Sequence, residues 1–216
     1  MISFQNIRYA NSGNDSRLHC DDVILPTDQR FAILCTSRQE MSALVELASG
    51  QEEPDWGQID SDRNVSFTVG TGSFLQLNQS TNKNLAMLSR LYGLRYEDMQ
   101  AFVFDIMSPA FSLDVNLRAL PKEEFAMARM AISYAVPFNV YIADRSAIPN
   151  GDGPQINRLL DYFKQLDSDH RGLLLFTQSP VHALRCCTYG AIFDKGSLSD
   201  HDTIDAISRR FRKLMK

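Results

Sequence analysis

Phe31-Ala32-Ile33-Leu34-Cys35-Thr36-Ser37-Arg38-Gln39-Glu40-Met41-Ser42-Ala43-Leu44-Val45 is the stretch that decides the fold. Its first five residues form an unbroken apolar run, the mark of a β-strand buried on both faces. From Arg38 to Ala48 the period changes, and Met41, Leu44, Val45 and Ala48 fall on one side of a helix. A buried strand that turns directly into an amphipathic helix is a building unit of a parallel α/β sheet.

The same unit recurs downstream. Val140 to Ala143, Leu173 to Phe176 and Ala191 to Phe193 are further buried strands, and Gln155 to Leu166 and Val181 to Cys187 read as the helices between them. Upstream, Ile2 to Ile7 alternates as a strand, Ala10 to Ser16 is a polar turn signal, and Asp22 to Leu25 is a strand closed by Pro26. Gly50 to Asp62 is a polar, turn-rich connection with the sole tryptophan, Trp56, and Val65 to Val69 is a strand. The middle of the chain predicts helices over Thr81 to Tyr92 and Tyr96 to Ile106, broken near Gly93. A link at Ser112 to Leu117 leads to a helix over Lys122 to Val136, stopped by Pro137. A loop rich in Pro, Asn and Gly runs from Pro149 to Pro154. The expected class is α/β, a parallel sheet flanked by helices, with an antiparallel N-terminal β part and a helical insertion.

The 216 residues suffice for one sizeable core, and a net charge of −4 gives no general attraction to nucleic acid or to an anionic membrane. Charge is uneven, because Arg209, Arg210, Arg212, Lys213 and Lys216 make Ser208 to Lys216 a short basic amphipathic helix, read as solvated. Cys20, Cys35, Cys186 and Cys187 show no paired CxxC spacing. The run His182, Cys186, Cys187 is read as helix-borne buried thiols rather than a metal site. No secretory signal is expected at the N-terminus, and no apolar run reaches the ~20 residues that span a bilayer. A cytoplasmic protein with reduced thiols is expected.

The order of these elements resembles the ATP-binding subunit of ABC transporters, and within it the short branch that drives capsular polysaccharide export. The resemblance is carried by Met1-Ile2-Ser3-Phe4-Gln5-Asn6-Ile7, by Phe31 to Leu34, by Gly50 to Ile59, by Val69-Gly70, by Leu88-Ser89-Arg90-Leu91-Tyr92-Gly93 and by Phe138-Asn139-Val140-Tyr141-Ile142-Ala143-Asp144. It spans roughly residues 1 to 198 and rests on order and spacing. It implies a P-loop NTPase-like fold, with residues 1–216 as a single ABC-ATPase-like domain and a helical subdomain at approximately 78–136 inserted in the RecA-like core.

The functional motifs of that family are degenerate here. Its phosphate loop, GxxxxGK[ST], needs glycines so that backbone N–H groups curl around phosphate, a lysine as point charge and a hydroxyl for magnesium. The matching stretch places Cys35 and Glu40 at the glycines, Met41 at the lysine and Ser42 at the hydroxyl. A Glu40 carboxylate would face a like-charged phosphate tail, and Arg38, read with Glu40 as a solvated helix-start residue, does not stand at the lysine's place. Asp144 matches the magnesium-holding aspartate, whereas Arg145 replaces the glutamate that polarises water and Gln178 replaces a phosphate-contacting histidine. Arg145 cannot serve as a base, because guanidinium pKa values lie above ~12. Gln76 matches a magnesium-sensing glutamine, Ile148 to Asp152 resembles the D-loop, and Tyr9 lies near the place of an adenine-stacking aromatic but is read as an ordinary half-buried tyrosine. Lys122 and Glu123, in Leu120-Pro121-Lys122-Glu123-Glu124, stand at a degenerate signature segment whose carboxylates oppose a γ-phosphate.

The resemblance therefore implies a homologue of a polysaccharide exporter's ATP-binding subunit that does not bind or hydrolyse ATP normally and acts as a scaffold or regulatory partner. No catalytic residue, cofactor or metal is expected. The partners it implies are a membrane-embedded transporter subunit or a polysaccharide-assembly protein, a homodimer being a further form, at the inner face of the inner membrane and without nucleic acid. The alternatives are a functional ATPase with atypical motifs, using Arg38, Ser42 and Asp144 with ATP and magnesium, and a sugar- or small-molecule-binding regulator that reuses the vacated cleft.

Overall fold

The computed structural model describes residues 1–11, 13, 15–71, 74–148 and 151–215. In chain order the strands are β1 (Ile2–Asn11), β2 (Ser16–Leu25), β3 (Arg30–Cys35), β4 (Trp56–Ser61), β5 (Val65–Val69), β6 (Val140–Ala143), β7 (Gly172–Thr177), β8 (Tyr189–Asp194), β9 (Ser197–Leu198) and β10 (Asp202–Thr203). The α-helices are α1 (Arg38–Ala48), α2 (Thr81–Tyr92), α3 (Tyr96–Met107), α4 (Lys122–Tyr134), α5 (Pro154–Ser168), α6 (Pro180–Cys186) and α7 (Ile204–Leu214). Parts of three expected features, Ser73 before Gln76, Pro149 and Asn150 in the D-loop-like segment, and Lys216, lie outside the described residues.

Two compact units are present. The first (1–68, 138–148 and 163–216) holds both sheets. One sheet runs β10-β8-β3-β7-β6-β5, and its β8, β3, β7 and β6 pair in parallel. Strands β3, β6 and β7 have no exposed residue in their apolar runs, as strands covered on both faces require. The other sheet is antiparallel, in the order β2-β1-β4.

The antiparallel sheet exceeds what the sequence suggested. The polar turn Ala10 to Ser16 shrinks, because β1 and β2 are ten-residue strands paired from Ile2↔Leu25 to Asn11↔Ser16. Inside Gly50 to Asp62, Trp56–Ser61 forms β4 on β1. A bulge interrupts that pairing between Gln5 and Arg8, where Asn6 has φ 50° and Gly57 φ 96°. A Cβ at Gly57 would lie 2.4 Å from the Gln5 carbonyl oxygen, so only glycine allows this close approach. Ile2, Phe4, Ile7, Leu18, Val23 and Leu25 pack with α1 and β3 into one core.

The second unit (69–137 and 149–162) is helical. Leu85, Leu88, Met99, Val103, Ile106 and Leu117 are fully or almost fully buried within it. Helix α2 starts on Ser80, whose hydroxyl accepts from the Lys83 N–H, and ends on Gly93 in the left-handed conformation, an economical C-cap. Gln155 donates through Nε2 to the Met107 carbonyl (2.7 Å), tying the start of α5 to α3. Among the described residues no helix is long and apolar enough to cross a membrane, and no group of His, Cys, Asp and Glu forms a metal cluster.

Candidate functional site

The C-terminal ends of parallel strands are where such sheets place their ligands. At the end of β3 only Thr36 and Ser37 separate strand from helix. Ser37 caps α1, its hydroxyl accepting from the Glu40 N–H at 3.3 Å, and the Met41 N–H bonds the Ser37 carbonyl at 3.1 Å. Arg38, Gln39 and Glu40 thus form the first turn of α1.

The side chains of this junction are bonded within the protein. The Glu40 carboxylate accepts from the Gly196 N–H at 2.9 Å, so Glu40 is half-buried and pinned rather than a free helix-start residue. Thr36 donates its hydroxyl to Asp194, and its N–H bonds the Phe193 carbonyl at 3.1 Å. Gln178, after β7, donates to the Thr36 carbonyl at 3.2 Å. Met41 packs against the hydrophobic core. Arg38 is exposed, and Ser42 is half-buried on α1.

The donor of the Glu40 bond belongs to a tight hairpin. Lys195 (φ 50°) and Gly196 (φ 79°) join β8 to β9 as a two-residue loop between the paired Asp194 and Ser197. A Cβ on Gly196 would lie 2.0 Å from the His19 carbonyl oxygen. The turn therefore presses on β2 while its N–H reaches α1. A Lys-Gly pair after an apolar strand is a hairpin signal that the sequence carried.

At the end of β6, Asp144 caps a single 3-10 turn at Arg145–Ala147. Its Oδ1 accepts from the Ser146 N–H (2.7 Å) and the Ser146 hydroxyl (2.6 Å). Arg145 is exposed on that turn. Burial, followed by the charges of Arg145 and Arg185, holds His182 below its ordinary pKa, and its Nδ1 is a buried atom with no hydrogen-bond partner among the described residues. Cys186, the last residue of α6, and Cys187, the extended residue after it, are both buried, and burial raises both pKa values.

Tyr9 is only 7% exposed, and its hydroxyl donates to Glu46 of α1 at 2.7 Å. Burial, then that carboxylate, raises its pKa. Its ring is core rather than an open stacking surface. Beside it lies a cleft of about 960 Å³ between the outer part of the β1–β2 hairpin, the β3–α1 junction and the β8–β9 turn.

Gln76, Lys122 and Glu123 belong to the second unit. Gln76 is exposed: its N–H bonds Asn84 Oδ1 (2.8 Å), and its Nε2 donates to Met87 Sδ (3.5 Å). Lys122 and Glu123 are exposed in the first turn of α4, which no side chain caps. Thus β3, β6, β7 and β8 bring Glu40, Asp144 and Gln178 to one edge of the first unit, while Gln76, Lys122 and Glu123 stand on the other unit. Thr36, Asp194, Lys195 and Gly196 were not foreseen.

The architecture has clear relatives among solved structures. An ATP-binding subunit of an ABC transporter superposes with a TM-score of 0.74 at 16% identity, covering 98% of this chain and 93% of that one. A metal-chelate-type ABC transporter in an inward-facing conformation gives 0.70 at 13%, covering 95% and 84%. This chain has the ABC ATPase fold. No protein-family model matches it. Its sequence is similar to the capsule polysaccharide export ATP-binding protein CtrD of Neisseria meningitidis serogroup B, at 22% identity over 99% of this chain and all of that protein. It is likewise 22% identical to the ATP-binding protein BexA of Haemophilus influenzae over the full length of both. The polysialic acid transport ATP-binding protein KpsT of Escherichia coli matches at 22% over 57% of each chain. The resemblance to the capsule-export branch of ABC ATPases thus extends along the whole chain.

Proposed function

We propose that this chain is a homologue of the ATP-binding subunit of a polysaccharide export system that serves as a non-hydrolytic scaffold or regulatory partner. The export assignment draws on the full-length similarity to capsule-export proteins. The loss of hydrolysis draws on one observation: the β3–α1 junction is two residues long, its Thr36 bonds Asp194 at the end of β8, and Glu40 of α1 bonds Gly196 of the β8–β9 turn. These residues do not fit a magnesium triphosphate. The lysine position, Met41, faces the core, the second glycine position carries a carboxylate, and Asp144 already caps the Ser146 turn. A like charge ~4 Å from Glu40 would cost roughly 1–4 kcal/mol.

The whole chain then acts as one domain, with the helical part at about 78–136 as its docking lobe. Its α2 face offers a shallow groove lined by Lys83, Ala86, Met87, Arg90 and Leu91, the last 70% exposed. Gln76 borders that groove through Met87. A cytoplasmic helix of a membrane-embedded export subunit, or a polysaccharide-assembly protein, is the partner we assign to it, which places the chain peripherally at the inner membrane. The deciding measurement is calorimetric titration with Mg-ATP and Mg-ADP. Absence of heat up to ~1 mM, the weak end of ligand affinities, is expected. Micromolar binding, followed by magnesium-dependent phosphate release that disappears in Asp144→Ala, would instead make the chain a working ATPase subunit.

A further inference from the structure

Helix α7 carries its positive charge on one side and towards one end. Ile204, Ile207, Ser208 and Phe211, spaced i, i+3, i+4 and i+7, are buried where the helix packs on β8 and α6. The other side presents Arg209, Arg210, Arg212 and Lys213, all exposed. Arg209 stands three and four positions from Arg212 and Lys213, and Arg210 stands three from Lys213, so their Cβ atoms are ~5–6 Å apart. Among the described residues no carboxylate forms an ion pair with any of the four. The one acid on the helix, Asp205, lies in its first turn, and Asp202 lies just before it, so the cations have the last two turns to themselves.

The helix dipole favours cations in the last turn, where Arg212 and Lys213 stand. It does not account for Arg209 and Arg210 one turn earlier, and like charges at these spacings destabilise a helix. The cluster also stands out against a chain of net charge −4, whose remaining surface repels an anionic body on average. Two features select the kind of anion. Leu214 and Met215, directly after the cations, are 55% and 52% exposed, and apolar side chains beside Arg and Lys suit the boundary between lipid headgroups and acyl chains. The exposed side chains of α7 are otherwise Asp205 and the four cations, with no aromatic ring to stack a nucleic-acid base and no amide or hydroxyl to read a base edge.

We propose that the C-terminal half of α7 is a contact surface for a bilayer bearing anionic phospholipids, with Arg209, Arg210, Arg212 and Lys213 on the headgroup phosphates and Leu214 and Met215 at the edge of the acyl layer. This contact is separate from the α2 groove assigned above to a membrane partner, because α7 belongs to the first unit and α2 to the second. It depends neither on the export reading nor on the loss of hydrolysis.

The test is flotation of the full-length chain with vesicles of phosphatidylcholine alone and of phosphatidylcholine with about 30% phosphatidylglycerol. Binding is expected to the anionic vesicles only, and to fall steeply between ~50 and ~500 mM salt. A surface cation contributes roughly fivefold to such partitioning, so Arg209→Gln combined with Arg212→Gln should weaken binding at least tenfold. Leu214→Ser should weaken it less, and all three exposed substitutions should leave circular dichroism unchanged. Equal binding to phosphatidylcholine, no binding to either vesicle, or an unaffected double variant would each overturn the proposal. Binding to polyglutamate that needs Arg209 and Arg212, without binding to vesicles, would overturn it in favour of an acidic protein partner. The assay holds neither nucleotide nor a membrane subunit, so its failure would leave the Mg-ATP titration and the export reading untouched.

Discussion

The bodies of the parallel strands and their C-terminal ends obey different rules in this molecule. Along the bodies, Ala32, Ile33 and Leu34 of β3, Tyr141 and Ile142 of β6, and Leu174 and Leu175 of β7 have no accessible surface and keep unbroken parallel register. At the ends, carboxylates and hydroxyls stand where an ABC ATPase would hold phosphate, and they are bonded to one another: Thr36 to Asp194, Glu40 to Gly196, Gln178 to Thr36, Asp144 to Ser146. Burial constrains a strand body whatever the protein does, since each removed methylene costs ~1 kcal/mol. The ends carry no such packing constraint, and here local bonds fill the space at the end of the sheet without disturbing its register.

The sharpest way to break this arrangement is Gly196→Ala. The residue has φ 79°, and its new Cβ would lie 2.0 Å from the His19 carbonyl oxygen, a backbone atom that cannot swing away. A left-handed penalty of ~1 kcal/mol plus displacement of the turn or of β2 should cost about 3 kcal/mol or more. Urea unfolding should record it as a lower midpoint. A loss below ~1 kcal/mol would mean that the β8–β9 turn is not a fixed joint.

Smaller losses should come from the α1 side of the same joint. Glu40→Ala removes the acceptor of the Gly196 N–H and should cost about 1–2 kcal/mol, whereas Glu40→Gln keeps an acceptor and should cost less than half as much. Ser37→Ala removes the N-cap of α1 and should cost ~1 kcal/mol. If the joint is cooperative, Glu40→Ala should be nearly silent in a Gly196→Ala background, because the turn has already moved. Full additivity in that double-mutant cycle would show that the two ends act independently.

The contrast also explains what could be read from sequence. Strand bodies were legible because a run such as Leu173 to Phe176 can only be buried, and α2 because Gly93 marks its end. Strand β4 was legible only through the resemblance, which implied a turn and strand at Gly50 to Ile59; its own residues gave no signal, since only Ile59 packs towards the core and the strand is held by pairing with β1. Helix α7 begins at Ile204, four positions before the expected start at Ser208, because Ile204, Ile207 and Phe211 are buried along one side while Arg209, Arg210, Arg212 and Lys213 stay exposed. The residue types at Glu40, Met41, Arg145 and Gln178 could be read directly from the sequence. Their partners were not visible, because Glu40 and Gly196 are separated by 156 positions and only the folded sheet brings them together.

The smallest expected effect lies at the border between body and end. Cys35 closes β3 with no exposed surface, and burial, followed by the Glu40 charge, raises its thiol pKa far above the usual value. Burial likewise pushes Cys20 of β2 to about 11 and Cys186 of α6 to about 12. A folded-state pKa above the unfolded one means that the native protein retains the proton longer. The stabilisation from these thiols is therefore complete below about pH 8.5, the unfolded thiol value, and fades as pH rises through the folded values. At neutral pH no change in stability should appear, and at pH 8 none of the four thiols should react with iodoacetamide on the timescale of the unfolded chain. Rapid labelling of Cys35 in the otherwise intact protein would show that the β3 terminus opens. Labelling that appears only in Gly196→Ala would locate the opening at the β8–β9 joint, because the end of β8, next to that turn, bonds Thr36, the residue directly after Cys35.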